Sequence, residues 1–262
     1  MELVSSKDGT RIAYRQSGHG PPLLLVHGAT SDHTTTWPKV LSALEDHFTV
    51  CAMDRRGRGS SGDSPNYELA REAEDIIAVI DALGQPVNVL GHSFGGLCAI
   101  EAALLTSAMR KLVLYEGVPL RGADLYPPGL IERMHAMMQS GDTEGALVAL
   151  LQDLVGMPPE ELELLRSQTS AWQRRLANTS TVPRELATER QYVFDPDRFK
   201  SMITPTLLLV GGESPPRELN NARGVVAGLP NGRIAVLSGQ QHAAMHSAPD
   251  LFVQEVVGFF ME

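Results

Sequence analysis

The sequence predicts an α/β fold in which helices flank a mainly parallel sheet. Short, continuous apolar runs recur along the chain between turn residues, as is typical of strands that are buried on both faces. Helical patterns lie between these runs, and such alternation indicates a parallel sheet. One long region has helical patterns without a good strand, which indicates an insertion. With 262 residues, the chain is long enough to bury a large core.

Six apolar runs are the predicted strands of the sheet. They cover residues 22–26, 48–53, 87–90, 111–115, 206–210 and 233–237. A small antiparallel hairpin over residues 2–16 precedes them. Amphipathic or alanine-rich patterns predict core helices over residues 69–83, 95–105 and 248–260. Gly84 suits the C-terminal cap of the first of these helices, and Pro249 suits the first turn of the last.

Residues 118–202 form the predicted insertion. Prolines punctuate this region, and its helical patterns cover residues 130–139, 144–155, 160–178 and 188–192. We interpret it as a helical cap after the sixth strand, with residues 1–117 and 203–262 as the core. Caps roof a site and carry substrate preference. The region is rich in aromatic residues and methionine, which are common in packing but also suit an apolar ligand. We therefore expect Trp172, Met137 and Tyr192 to line a substrate pocket.

Charge and composition narrow the classes of partner. The formal net charge is −9, which disfavours nucleic acids and anionic membranes, because both bind basic surfaces. The two cysteines, Cys51 and Cys98, exclude a disulfide framework and form no zinc-binding cluster. No apolar run approaches the roughly 18 residues of a membrane span. The first residues do not resemble a secretion signal, so we expect a cytoplasmic protein. The oligomeric state stays open.

The strongest motif is a G-x-S-x-G sequence at residues 91–95, centred on Ser93. It follows a predicted strand and precedes a predicted helix, which is the context of a nucleophilic serine on a sharp turn. A Gly-rich turn with an incidental serine is the alternative, but the flanking strand and helix favour catalysis. The backbone N–H groups of Ala29 and Phe94 are the predicted oxyanion hole, because both follow the ends of neighbouring strands.

A serine nucleophile needs an imidazole as its general base. Of eight histidines, only His242 and His246 follow the last predicted strand. His242 lies just beyond the end of that strand, so we favour it as the base. His246 lies nearer the closing helix, where a structural role is expected.

Several of these motifs together resemble the α/β-hydrolase superfamily across essentially the whole chain. The matching residues are His27-Gly28, Asp54-Arg-Arg-Gly57-Arg-Gly59, Gly91-His-Ser93-Phe-Gly-Gly96 and His242, seven residues before Pro249. The resemblance implies a triad in the order serine, acid, histidine. Gly57–Gly62 also matches the G-x-G-x-x-G of dinucleotide-binding proteins, but a turn follows it instead of a helix, so we expect no such cofactor. We expect Asp54 and the arginines here to be structural.

The acid of the triad is open between two glutamates. Many α/β-hydrolases place an aspartate three residues after the glycine that ends the seventh strand, where this chain has Ser214. Glu213 is one residue early in the same loop. Glu116 follows the preceding strand, and its setting before Gly117-Val118-Pro119 resembles that of zearalenone lactonases and some haloalkane dehalogenases. We predict Glu116 and keep Glu213 as the alternative.

This chemistry predicts a serine hydrolase that cleaves a carboxylic ester or lactone of a fairly apolar small molecule through an acyl-enzyme, without a cofactor or metal. Related enzymes that attack a saturated carbon use aspartate in place of the serine, so Ser93 favours attack on a carbonyl. Two alternatives are open. One is carbon–carbon bond hydrolysis of a vinylogous diketone with the same triad. The other is a ligand receptor of this fold with little turnover.

Overall fold

An eight-stranded sheet forms the centre of the computed structural model, which describes residues 1–262. The strands are β1 Glu2–Ser5, β2 Arg11–Gly18, β3 Pro22–Val26, β4 Thr49–Met53, β5 Val87–His92, β6 Met109–Tyr115, β7 Thr206–Gly211 and β8 Gly232–Leu237. Their order in the sheet is β1-β2-β4-β3-β5-β6-β7-β8. The hairpin strands β1 and β2 pair antiparallel, and every pair from β4 to β8 is parallel. The prediction of a mainly parallel sheet is confirmed.

Apolar side chains on both faces of the sheet explain why its strands are continuous apolar runs. All five residues of β3 are buried. Leu24 and Val26 belong to one core cluster, whereas Leu23 and Leu25 belong to a second cluster on the opposite face. Successive side chains of a strand point to opposite faces, so a strand covered on both sides needs apolar residues at every position.

Helices cover both faces. The helices of the core are α1 His33–Thr36, α2 Leu41–Glu45, α3 Leu69–Leu83, α4 Phe94–Ala103, α11 Pro216–Ala227, α12 Ala244–Ser247 and α13 Pro249–Met261. Buried residues of α3, α4 and α11 belong to the first cluster, and those of α2, α12 and α13 to the second. Gly84 ends α3 in the left-handed conformation, with φ of 64°, as its sequence predicts. None of the helices combines the length and apolar character needed to cross a bilayer.

A helical region follows β6, as predicted. Its helices are α5 Leu130–Gln139, α6 Thr143–Ala149, α7 Pro159–Ser167, α8 Thr169–Asn178, α9 Val182–Gln191 and α10 Pro196–Phe199. Short 3₁₀ turns at Gly122–Asp124 and Thr179–Thr181 and a π-helical segment at Leu150–Val155 complete it. Its only strand-like feature is an isolated bridge between Arg121 and Val193.

Three helical predictions differ from the structure. The helix predicted over 144–155 changes from α to π at Leu150. The helix predicted over 160–178 is broken at Gln168, whose ψ of 68° is not helical. Helix α9 begins well before the predicted start at residue 188, because Pro183 lies in its first turn, where proline is tolerated. Helix α11 is not among the predicted elements, although Pro216 is its first residue.

Candidate active site

Ser93 stands on a strained turn between β5 and α4. Its φ of 53° and ψ of −133° are unusual for a residue with a side chain, and such backbone strain costs about 1–3 kcal/mol. Neighbouring glycines make room for the turn. A Cβ on Gly28 would lie 2.9 Å from the Cβ of Ser93, and a Cβ on Gly117 would overlap the Ser93 carbonyl oxygen. Strained non-glycine residues cluster at functional sites. Ser93 is also the N-cap of α4, and the N-terminus of a helix favours nearby negative charge.

His242 and Glu116 form a hydrogen-bonded pair at the same edge of the sheet. The Nδ1–H of His242 donates to Oε2 of Glu116 across 2.7 Å. The other carboxylate oxygen, Oε1, accepts the backbone N–H of Gly211 at 2.7 Å. Pairing of β6 with β7 brings the end of one strand beside the end of the other, which is why Glu116 meets Gly211. Both oxygens of the buried carboxylate therefore have a donor.

The pair shifts the pKa of each partner in opposite directions. Burial favours the neutral Glu116 carboxyl, but the hydrogen bond and positive charge of His242 outweigh it and hold the pKa of Glu116 below its ordinary value. Burial also opposes the charged imidazole, yet the hydrogen bond and charge of Glu116 raise the pKa of His242 above 6.5. Glu116 is thus an ionised partner that stabilises a protonated His242.

Two side chains hold the loop that carries His242. The hydroxyl of Tyr115 donates to the carbonyl of Gln241 and accepts the backbone N–H of Ala244, so it holds the loop on both sides of His242. His92 donates from Nε2 to the carbonyl of His242 across 2.9 Å. Burial and the charge of His242 keep the pKa of His92 well below 6.5, so it stays neutral. The sequence patterns did not single out Tyr115 or His92 as residues that hold this loop. For His92, its position next to Ser93 in the chain was the signal that could have indicated such a role.

Glu213 and His246 are placed differently from Glu116 and His242. The Glu213 side chain is exposed, and its backbone N–H donates to the carbonyl of Gln240. The carboxylate that meets the imidazole of His242 is that of Glu116. His246 lines the same cavity as His242 but has no carboxylate partner. Burial, with the charges of Arg175 and Lys39, lowers the pKa of His246 to about 4.

A cavity of about 210 Å³ connects these groups. Ser93, His242, Ala29 and Phe94 all line it. The backbone N–H groups of Ala29 and Phe94 have no acceptor within the chain, so both are available to an oxygen of a ligand. The inserted helical region supplies most of the apolar wall, namely Leu150, Leu151, Leu154, Val155, Met157, Leu164, Leu165 and Leu186.

The prediction that Trp172, Met137 and Tyr192 line the pocket is wrong, because none of them borders this cavity. Trp172 packs in a small cluster with Leu147, Leu151 and Leu162 inside the helical region. Met137 packs at the edge of another cluster there. Tyr192 is buried in the main core and donates to Glu101 at 3.0 Å. Their helical spacing reflects packing between helices, which is more common for such residues than contact with a ligand.

The loop after β4 is structural, as its sequence predicts. Oδ2 of Asp54 accepts the N–H of Ser60 at 2.9 Å, and Oδ1 lies 2.7 Å from Nδ1 of His33. Arg55 and Arg56 are paired with acidic residues of α3 at 2.6 and 2.7 Å. No group of three or more His, Cys, Asp or Glu side chains is arranged to hold a metal ion.

The α/β-hydrolase family model matches residues 23–255 of this chain. The chain belongs to the α/β-hydrolase family. A solved α/β-hydrolase from Sphaerobacter thermophilus is 34% identical, with a TM-score of 0.84 over 99% of this chain and 100% of that one. Esterase RhEst1 from a Rhodococcus species is 25% identical, with a TM-score of 0.79 over 100% and 98% of the two chains.

Two further similarities are more limited. An enol-lactonase from Burkholderia xenovorans shares the fold at 20% identity and a TM-score of 0.79, over 100% of both chains. Uncharacterized proteins of Mycobacterium bovis and Mycobacterium tuberculosis are 41% identical over 100 residues, or 36% of this hydrolase. That match spans only 28% of the length of these mycobacterial relatives.

Proposed function

We propose that this hydrolase cleaves a carboxylic ester or lactone of a small molecule through an acyl-enzyme. The hydrogen bond between His242 and Glu116, beside a strained Ser93 that lines the same cavity, is the observation that carries the proposal. The similarity to an esterase and the shared fold of an enol-lactonase support the same reaction class. In this proposal, the inserted region at 118–202 acts as the cap of a core made of residues 1–117 and 203–262.

Each residue of the site then has a defined role in the reaction. Ser93 Oγ attacks the carbonyl carbon, while Nε2 of His242 takes its proton. Glu116 holds the imidazole by Nδ1 and stabilises its charge. The N–H groups of Ala29 and Phe94 hold the oxyanion. His242 returns the proton to the leaving alcohol, then activates the water that releases the acid and restores Ser93.

The test is a panel of p-nitrophenyl esters and lactones, read by mass spectrometry with wild type and Ser93→Ala. Wild type should hydrolyse members of the panel, and Ser93→Ala should lower kcat by roughly 10³ or more, because a triad acts as a unit. A fluorophosphonate probe should label wild type and spare Ser93→Ala. Equal labelling of both proteins, or binding of every panel member without turnover, would contradict the proposal.

A further inference from the structure

A buried arginine lines the active-site cavity. Arg175 of α8 is 8% exposed and borders the cavity that Ser93 and His242 also line. Its Nη1 donates to Ser31 Oγ at 2.8 Å and to Thr30 Oγ1 at 3.3 Å. Its Nη2 lies 3.5 Å from the carbonyl of Thr35, and its Nε–H has no acceptor. Every bond of this cation is therefore to a neutral oxygen.

Three other buried arginines show what this guanidinium lacks. Arg55, Arg56 and Arg58 are each paired with a buried carboxylate at 2.6–2.7 Å. No carboxylate lies within 4.0 Å of Arg175; Asp32 is the acid that acts on it from a greater distance. Asp32 is already occupied by the N–H groups of Thr34 and Thr35 and by Asn178. A buried charge without a counter-charge is unfavourable, so a ligand anion would complete this site.

The charges around the cavity suit an anionic ligand next to Arg175. Burial lowers the pKa of Arg175 to about 10, which leaves it a cation at neutral pH. The exposed Lys39 also lines the cavity, and its ammonium donates to the carbonyl of His246 at 2.8 Å. Two acids, Glu161 and Glu189, line the cavity as well. Burial raises the pKa of both carboxyls, to about 7 for Glu189, so Glu189 is only partly ionised at neutral pH.

We propose that Arg175 binds a carboxylate of the substrate, so that this hydrolase acts on anionic esters or lactones. This inference rests on the proposed function and adds the substrate class. Arginine suits the task because its planar guanidinium forms strong, charge-assisted hydrogen bonds to carboxylates. The cavity of about 210 Å³ indicates a small anion.

Pairs of esters of equal shape test this substrate preference. The p-nitrophenyl monoester of adipic acid is compared with p-nitrophenyl 6-methylheptanoate, in which an isopropyl group replaces the carboxylate. A second pair, 4-carboxyphenyl and 4-isopropylphenyl butyrate, places the charge on the leaving group. Wild type should prefer the anionic member of at least one pair by about tenfold in kcat/KM, the factor that 1.4 kcal/mol represents. Preference for the neutral member of both pairs would overturn the proposal.

Arg175→Gln distinguishes ligand binding from a purely structural role. It should lower kcat/KM for the preferred anionic ester by roughly 30-fold or more, mainly through KM, because it removes one partner of a buried charge pair. The neutral ester should change little, and Arg175→Lys should restore part of the loss. Arg190→Gln is the matched control, since Arg190 lies in the same helical region but is 49% exposed and outside the cavity. An equal loss on both esters would mean that Arg175 only supports the fold.

A binding measurement separates this inference from the proposed reaction. Calorimetry with glutarate and Ser93→Ala requires no turnover. Glutarate should bind Ser93→Ala, and the double variant Ser93→Ala/Arg175→Gln should not bind it. If glutarate binds through Arg175 but no ester or lactone is cleaved, the proposed function fails and the anion site remains. If neutral esters are cleaved and glutarate does not bind, the anion site fails and the proposed function remains.

Discussion

Glu116 illustrates what one residue requires of its surroundings. Its φ of 46° is unusual for a residue with a side chain. This backbone turns the chain at the end of β6, where the carboxylate reaches both His242 and the N–H of Gly211. The two glutamates looked similar in sequence, because each follows a strand. Only the position of the imidazole relative to those strand ends separates them.

Replacement of Glu116 should disable catalysis while replacement of Glu213 should not. Glu116→Gln is expected to lower kcat by about 10²–10⁴, because the imidazole loses its orientation and its counter-charge. Glu213→Gln, a matched change on an exposed side chain, should keep nearly wild-type activity. Steady-state kinetics with a circular-dichroism check of folding measures both. An inactive Glu213→Gln beside an active Glu116→Gln would transfer the role of the acid to the later loop.

The pH profile reports the same pair. His242 accepts a proton only when neutral, so kcat/KM should rise with pH through the pKa of His242, which Glu116 raises above 6.5. In Glu116→Gln that midpoint should move to lower pH, since the interaction that raised the pKa is lost.

His242→Ala should lack the activity, whereas His246→Ala should keep most of it. A wild-type midpoint near 4, the pKa of His246, would point to the other histidine.

Among the elements, the π-helical segment Leu150–Val155 shapes the cavity most directly. It continues α6, and Leu150, Leu151, Leu154 and Val155 line the cavity. The segment ends at Gly156, which has φ of 79°. Segments of π-helix are rare in proteins, and many of those that do occur lie at functional sites. The sequence period predicts a helix here but does not reveal the wider turn, which depends on packing.

Leu154→Ala should change the preference for substrate size. Removing the side chain enlarges the cavity, so kcat/KM for longer acyl chains should rise relative to short ones. Leu162→Ala is the control, because Leu162 is buried in the helical region but does not line the cavity. It should cost about 2–5 kcal/mol of stability without changing the ratio. Kinetics over a series of p-nitrophenyl acyl esters measures the ratio, and an unchanged ratio in Leu154→Ala would remove this segment from substrate selection.

Across the whole molecule, a buried ionic cluster joins the helical region to the core. Glu185 of α9 is paired with Arg58 at 2.6 Å and with Arg55 at 3.1 Å. Arg55 also bonds Glu72 of α3. All four side chains are almost fully buried, so the cluster holds α9 of the helical region against the core. Breaking one member of such a cluster leaves an unpaired buried charge.

Glu185→Gln should therefore destabilise the protein by roughly 3–5 kcal/mol, since Arg58 loses its carboxylate. Glu132→Gln is the matched control in the same helical region. It breaks the Arg190–Glu132 pair, whose side chains are 49% and 66% exposed, and should cost below about 1 kcal/mol. Urea denaturation of both variants measures the difference. Equal, small losses would mean that the buried cluster is not what holds the helical region in place.

The sequence by itself determined the strands and the turn at Ser93. Apolar runs report burial on both faces, and a tight turn between strand and helix requires glycines next to the serine; both are local properties of the chain. The tertiary structure decided which acid reaches His242, which side chains line the cavity, and that Arg175 lacks a carboxylate. These depend on contacts between residues far apart in the chain: Glu116 and His242 are 126 positions apart, and Arg175 is 144 from Ser31. Helical spacing reveals that a side chain is buried, as for Trp172, but whether it meets a neighbouring helix or a ligand is decided only when the helices pack.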